Sequence, residues 1–379
     1  MTIVPVELLD RSYEIEIEGN SLERIGAALD SFGNIAHAIL VVDSQIDDLY
    51  TQPIVDSIAS RGINVDIIVV PSGEESKSIE MAYSLWEKLL SLKADRNTLA
   101  VALGGGVIGD LTGFVAATYM RGIRFYQVPT TLLAQVDSSI GGKTAIDLPR
   151  GKNTVGAFHQ PIGVLIDPNV LSTLSDEQYR SGLGEVLKYA VSLDVDLFKF
   201  LENNVAQINE RDSKTLETII AKCCNIKAQI VKDDERETSG KRALLNFGHT
   251  FGHALEAALG YGVLPHGLGV SIGSVLAGKL ASYLSEQGDS RFSEITDKWL
   301  SRFTTLQKNL FLPRTLKDLG LDYESNPLCA PENLVSLMET DKKAQNGLIN
   351  VILPTSLGSC VCVKNISKET LLKILEENL

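Results

Sequence analysis

"NTLAVALGGGVIGDLTGF", residues 97–114, runs from small and branched apolar residues through three glycines into a helical pattern. A short apolar run closed by turn residues reads as a strand buried on both faces, the habit of parallel sheets. Its glycines spell Gly104-x-Gly106-x-x-Gly109 across a strand-to-helix turn. There bare backbone N–H groups and the positive end of the helix favour a pyrophosphate. The usual dinucleotide fingerprint adds an acid about 20 residues on, but that position falls near Pro129. The acid is expected instead from Asp43, at the end of the first inner strand. "PSGEESK" (71–77), another strand-ending turn, offers Glu74 and Lys77 to the same edge.

The neighbouring segments extend the pattern. "HAILVVDS" (37–44), "NVDIIVVPS" (64–72), "IRFYQVPTT" (123–131) and "IGVLIDP" (162–168) are β-branched runs ended by Gly, Pro, Ser or Asp. Helical patterns fill the intervals over 46–61, 75–93 and 110–120. Alternation of this kind predicts an open α/β sheet covered on both faces, with ligands at the strand C-termini. Near Ser175, a fitting N-cap, the period changes. "DEQYRSGLGEVLKYAVSLDVDLFKFLENN" and "SKTLETIIAKCCNIKAQIVKDD" carry apolar residues at three- and four-residue spacing, so the second half reads as mainly helical. A short strand pair near "GLINVILP" and "SCVCVKN" precedes a last helix, "KETLLKILEENL". The expected division is an α/β nucleotide-binding domain over 1–174 and a helical domain over 175–379.

Composition narrows the partners. The 379 residues are 44% hydrophobic and 22% charged, with a net charge of −13. That sign repels nucleic acid and anionic membrane, so neither is expected as a partner. Five cysteines without CxxC spacing indicate neither a disulfide framework nor a cysteine zinc site. The N-terminus meets acids by Glu7 and lacks signal-peptide features. The reading is a reduced, cytoplasmic protein.

Two clusters break the acidic background. The segment 120–161 holds Arg121, Arg124, Lys143, Arg150 and Lys152 among Gly, Ser and Thr. Lysines at glycine turns ("GGKTA", "GKNT") suit phosphate or carboxylate, because small neighbours admit the anion to backbone donors. Asp137 is placed to orient one of these lysines. The second cluster holds three of the five histidines, His249, His253 and His266. His249 and His253 are four apart and share a helix face. By spacing alone they are the ligands of a divalent ion, the third coming from His266 or a carboxylate. One carboxylate candidate is Glu185, in "SGLGEVLKYAV", with Lys188 on the same face; an apolar helix face carrying both charges needs a reason.

Taken together, "GGGVIGDLTGF", "MRGIRFYQVPTTLLAQVDSSIGGKTAID", "GKNTVGAFHQP", "SGLGEVLKYA", "DERE", "RALLNFGHTFGHALE" and "DKK" (341–343) resemble the 3-dehydroquinate synthase family, from about residue 40 to 350. "SSIGGKTAID" with "HTFGH" favours that family over sister sugar-phosphate cyclases. The resemblance implies a Rossmann-like domain and a helical domain, usually in a homodimer, with the site in the cleft between them. It implies NAD, one zinc or cobalt ion and a sugar-acid phosphate substrate. It places the metal on Glu185, His249 and His266, and moves His253 to phosphate binding and proton transfer. Lys143, Lys188, Arg242, Asn246 and Asp137 join His253 as catalytic residues, while Arg121, Lys152, Asn153, Lys227 and Lys342 (or Lys343) bind substrate. NAD contacts correspond to Asp43, Glu74, Lys77, Gly106, Val107, Ile108, Gly109, Asp110, Thr130, Thr131, Lys143, Lys152, Ser172 and Thr173. Two departures stand out. The family reads "HGEAV" where this chain has His266-Gly-Leu268-Gly-Val, which removes a carboxylate near the metal, and "DERETSGKR" is one residue longer than usual between its acids and Arg242.

Overall fold

The structure is a computed structural model and describes residues 1–33, 35–149, 151–260, 262–321, 326–340 and 349–379. An antiparallel pair absent from the strands read in the sequence, β1 (Thr2–Val6) and β2 (Tyr13–Ile17), opens the chain. The expected strands follow as β3 (His37–Asp43), β4 (Asn64–Val70), β5 (Leu99–Gly104) and β6 (Arg124–Pro129). A hairpin of β7 (Lys143–Leu148) and β8 (Gly151–Phe158) precedes β9 (Val164–Ile166). The seven-stranded sheet runs β1-β2-β9-β6-β5-β3-β4 and is parallel apart from β1–β2. Every residue of β5 is buried, as its unbroken apolar run requires.

Chain order moves outward from β3 to β4 and then returns to β5 on the other side of β3, which creates a topological switch point. Val42 pairs with Leu103, so the next residues, Asp43 and Gly104, end level at that point. Apolar layers cover both faces. Leu85 and Leu89 of helix Ile79–Ser91 and Ile108, Leu111 and Val115 of helix Gly106–Thr118 pack on one. Ile54 and Ile58 of helix Asp47–Ala59 pack on the other.

Contacts divide the chain into one unit of Met1–Leu174 with Ser213–Arg236, and a second of Ser175–Asp212 with Glu237–Leu379. Helix Ser213–Asp233 therefore differs from the division at 174/175: it packs with the first unit, where Gly19 N donates to Glu217 Oε1 at 2.8 Å and Cys224 Sγ lies 3.4 Å from Gln135 O. Ser175 caps its helix by accepting from Gln178 N. In the second unit, helices Asp176–Ser192, His249–Leu259 and His266–Glu286 form the core, flanked by the antiparallel pair β10 (Ile349–Ser356) and β11 (Ser359–Ile366) and by helix Lys368–Asn378. Helix His266–Glu286 is long and apolar enough to cross a membrane, but most of it is buried inside this unit.

Candidate active site

Glycines bring the helices of the second unit close enough for their side chains to meet. A Cβ on Gly184 would stand 2.1 Å from Gly267 O, and one on Gly267 would stand 1.7 Å from Ser181 O. Only bare backbone permits that approach. Gly267 N uses it to donate to Ser181 Oγ at 3.0 Å. The contact sets Glu185, one residue after Gly184, beside His266, one residue before Gly267.

Glu185 is fully buried, and its two oxygens have different fates. Oε2 accepts from Lys188 Nζ, itself 1% exposed and 4.3 Å from the Tyr189 ring centroid. Oε1 is buried and accepts no hydrogen bond from the described residues. It stands 3.4 Å from His266 Nε2 and 3.7 Å from His249 Nε2. Donor atoms about 2.1 Å from a tetrahedral ion lie roughly 3.4 Å apart, and both separations come close to that spacing. A buried ionised oxygen needs a compensating charge, and Lys188 serves only its other half.

The imidazoles are held in the tautomer such an ion needs. His249 Nδ1 lies 3.1 Å from Phe247 O and His266 Nδ1 lies 2.8 Å from Glu256 Oε1. A proton on each Nδ1 leaves both Nε2 lone pairs facing Glu185. Desolvation opposes a charge on His266, yet the Glu256 and Glu185 carboxylates outweigh it and favour positive charge at this ring. The carboxylates thus call for positive charge here. His253 belongs to the same cluster, its ring centroid 5.3 Å from that of His249 and 5.6 Å from that of His266. Ligand atoms of all three imidazoles come within 4.8 Å of one another, so distance alone admits His253 as a ligand; burial and the unbonded oxygen favour Glu185.

Two sequence departures acquire a local setting. Leu268 is buried and apolar, but His266 already has a carboxylate in Glu256. Despite the extra residue in "DERETSGKR", Glu237 Oε1 reaches to 3.6 Å from Arg242 Nε, and Arg242 is 3% exposed. Asn246 Nδ2 donates to Ala243 O at 3.1 Å.

In the first unit, helix Gly106–Thr118 begins directly after the β5 turn. The N–H groups of Gly106, Val107 and Ile108 are its leading donors, free of intrahelical acceptors. Gly109 differs, since its N–H already bonds Gly105 O at 3.1 Å. Its lack of a side chain serves packing: a Cβ there would stand 2.6 Å from Gln127 Oε1. Asp43 Oδ2 accepts from Ser72 Oγ at 3.2 Å, and Thr173 Oγ1 lies 2.7 Å from Tyr50 OH. Thr131 Oγ1 accepts from Ala134 N at 3.2 Å, and Ser172 Oγ donates to Asn169 O at 2.7 Å. Thr130 is buried at the end of β6.

Charged residues of the same unit gather around Lys77. Its Nζ, on a side chain 5% exposed, lies 2.6 Å from Asp110 Oδ2 and 2.5 Å from Asn153 Oδ1. Burial works against its charge, but Asp110 and Glu74 prevail and hold its pKa above the ordinary value. Lys152 Nζ lies 3.3 Å from Glu74 Oε1. Asp147, which no sequence signal singled out, accepts from Asn153 N at 2.6 Å. Lys227 Nζ donates to Asp137 O at 2.6 Å and also to its carboxylate; Asp137 sits in a π-helical turn, a geometry concentrated at functional sites. Arg121 and Asn153 hold φ of 65° and 52°, left-handed backbone that side chains seldom adopt without a local demand. Lys143 begins β7. Arg150, Lys342 and Lys343 lie outside the described residues.

Known proteins resemble this chain over nearly its whole length. The domain family "3-dehydroquinate synthase N-terminal" matches residues 67–181, and "3-dehydroquinate synthase C-terminal" matches 182–344. A 3-dehydroquinate synthase of Pelobacter propionicus is 42% identical over 99% of both chains. Among solved structures, 2-epi-5-epi-valiolone synthase of Streptomyces hygroscopicus, with NAD+ and Zn2+ bound, superposes with a TM-score of 0.85 at 25% identity over 98% of each chain. A 2-deoxy-scyllo-inosose synthase complexed with carbaglucose-6-phosphate, NAD+ and Co2+ also reaches 0.85, at 26% identity over the whole of both chains.

Proposed function

The chain belongs to the 3-dehydroquinate synthase family, and from that membership we propose that it converts 3-deoxy-D-arabino-heptulosonate 7-phosphate to 3-dehydroquinate and phosphate. It is a carbon–oxygen lyase of the shikimate route that uses NAD without consuming it. Identity of 42% to a dehydroquinate synthase, against 25% and 26% to the sister cyclases, favours this substrate over theirs. The observation that carries the mechanism is the buried, unbonded Glu185 Oε1 facing two imidazole nitrogens.

Reversible hydride storage by a nicotinamide and Lewis-acid polarisation of sugar oxygens by zinc or cobalt are the chemistries these groups supply when bound. Glu185, His249 and His266 would hold the ion, with Lys188 keeping Glu185 Oε2 occupied. Asp43, Glu74, Lys77, Asp110, Thr130, Thr131, Ser172, Thr173 and the N–H groups of Gly106–Ile108 would hold the dinucleotide. With the nicotinamide bound, a ketone in place of a ring hydroxyl would acidify the adjacent C–H and let phosphate leave by elimination. The leaving dianion demands fixed positive charge, for which Arg121, Lys143, Lys152 and Arg242 are assigned, assisted by the amides of Asn153 and Asn246. Lys227, oriented by Asp137, serves the substrate carboxylate or hydroxyls. His253, an imidazole beside the ligands, handles the proton. Ring opening and an intramolecular aldol closure would then complete the carbocycle.

A homodimer working in the cytoplasm is part of the same proposal; thiols at Cys223, Cys224, Cys329, Cys360 and Cys362 suit a reducing compartment. The test is to supply purified protein, NAD and Co2+ with the heptulosonate phosphate and to follow phosphate and NADH together. One phosphate per substrate without accumulating NADH is expected; net NADH, or turnover of glucose 6-phosphate instead, contradicts the reading.

His253→Ala is expected to slow phosphate release by about 100-fold or more, the usual contribution of a positioned acid or base, while metal content stays near one ion per chain. Loss of the ion from this variant, measured by elemental analysis, would make His253 a ligand.

A further inference from the structure

We propose that Glu256 is a positioning residue for the cation site: its carboxylate fixes the proton on His266 Nδ1 and so turns Nε2, as a bare lone pair, toward Glu185. Glu256 follows His249 by seven residues and His253 by three on helix His249–Leu259, a spacing that puts all three on one face. It is 5% exposed, and its Oε1 lies 2.8 Å from Nδ1.

The two imidazoles are unequally supported. His249 leans on a neutral carbonyl, Phe247 O, whereas His266 leans on a carboxylate. His266, like His249, is the first residue of its helix, where the positive end of the helix dipole disfavours a cation. A buried carboxylate on the far side of the ring offsets that field and raises the basicity of Nε2. Leu268, two residues on, is apolar and buried and supplies no charge.

The proposal rests on the metal reading above, and Co2+ alone probes both. Wild-type protein, Glu256→Gln and Glu256→Ala are titrated with Co2+ against a competing chelator while the cobalt d–d spectrum and the circular dichroism of the metal-free chain are recorded. Loss of an outer partner to a metal-bound imidazole typically weakens the ion 10- to 100-fold, and this is expected for Glu256→Ala with the fold retained. Glu256→Gln, which keeps an acceptor for Nδ1–H but no charge, should recover part of that loss. Wild-type affinity and an unaltered spectrum in Glu256→Ala overturn the proposal. If Glu256→Ala does not fold, Glu256→Gln decides: weakening of about threefold or more supports it, and wild-type binding overturns it. Failure of the unsubstituted protein to take up Co2+ at all would instead overturn the metal reading.

Discussion

Glu185→Gln is expected to reduce turnover about a thousand-fold and Co2+ affinity by more than about 100-fold. Lewis-acid stabilisation at such a site supplies several kcal/mol, and each 1.36 kcal/mol is a factor of ten in rate. The replacement keeps size and one acceptor, so Lys188 retains a hydrogen-bond partner. It removes the negative charge and directs an amide toward Nε2 of His249 and His266, where Oε1 now stands 3.7 and 3.4 Å away. A second consequence must be separated from the first. Lys188 is 1% exposed and pairs with Glu185 Oε2, and breaking a buried ion pair costs about 3–5 kcal/mol. Combining Glu185→Gln with Lys188→Met removes the other half of that pair. The double variant should regain most of the lost stability by thermal unfolding and none of the metal affinity. Recovery of metal binding in the double variant would show that Glu185 acts through the fold and not as a ligand.

Gly267→Ala should be nearly as damaging, although alanine carries no new chemistry. Its methyl would be placed 1.7 Å from Ser181 O and 2.6 Å from the carbonyl carbon. Neither neighbour is a flexible side-chain end, so the helices bearing Glu185 and His266 must separate. Overpacking of this kind costs about 1–3 kcal/mol, seen as an unfolding midpoint lower by several degrees. The greater loss is functional: a displacement of about 1 Å in a catalytic constellation costs about 100-fold in rate. Near wild-type Co2+ affinity in this variant would mean that the close helix contact does not set the site.

The sheet was legible because its inner strands are what parallel strands must be, short apolar runs closed by turn residues. Asp43 and the β5 glycine turn could likewise be placed at one edge, since chain alternation implies a switch point. Other features carried no such signature. The β7–β8 hairpin lies in a basic, glycine-rich stretch, and β8 is largely exposed, so no alternation marks it. Helix Ser213–Asp233 has an ordinary amphipathic pattern, and only tertiary contact, as at Glu217, decides which unit it joins. Histidine scarcity exposed the metal cluster, but the four-residue spacing of His249 and His253 speaks only of one helix. The arrival of Glu185 and His266 depends on two glycines, Gly184 and Gly267, whose meeting is not local. Glu256 was the one missed residue with a readable signal, since it continues the His249–His253 face by another turn.

X-ray absorption and anomalous diffraction on Co2+-loaded protein address the coordination directly. The ion should be bound by one oxygen of Glu185 and by Nε2 of His249 and His266, with His253 outside its coordination sphere. An ion held by His249, His253 and His266, with Glu185 bonded only to Lys188, would contradict the assignment.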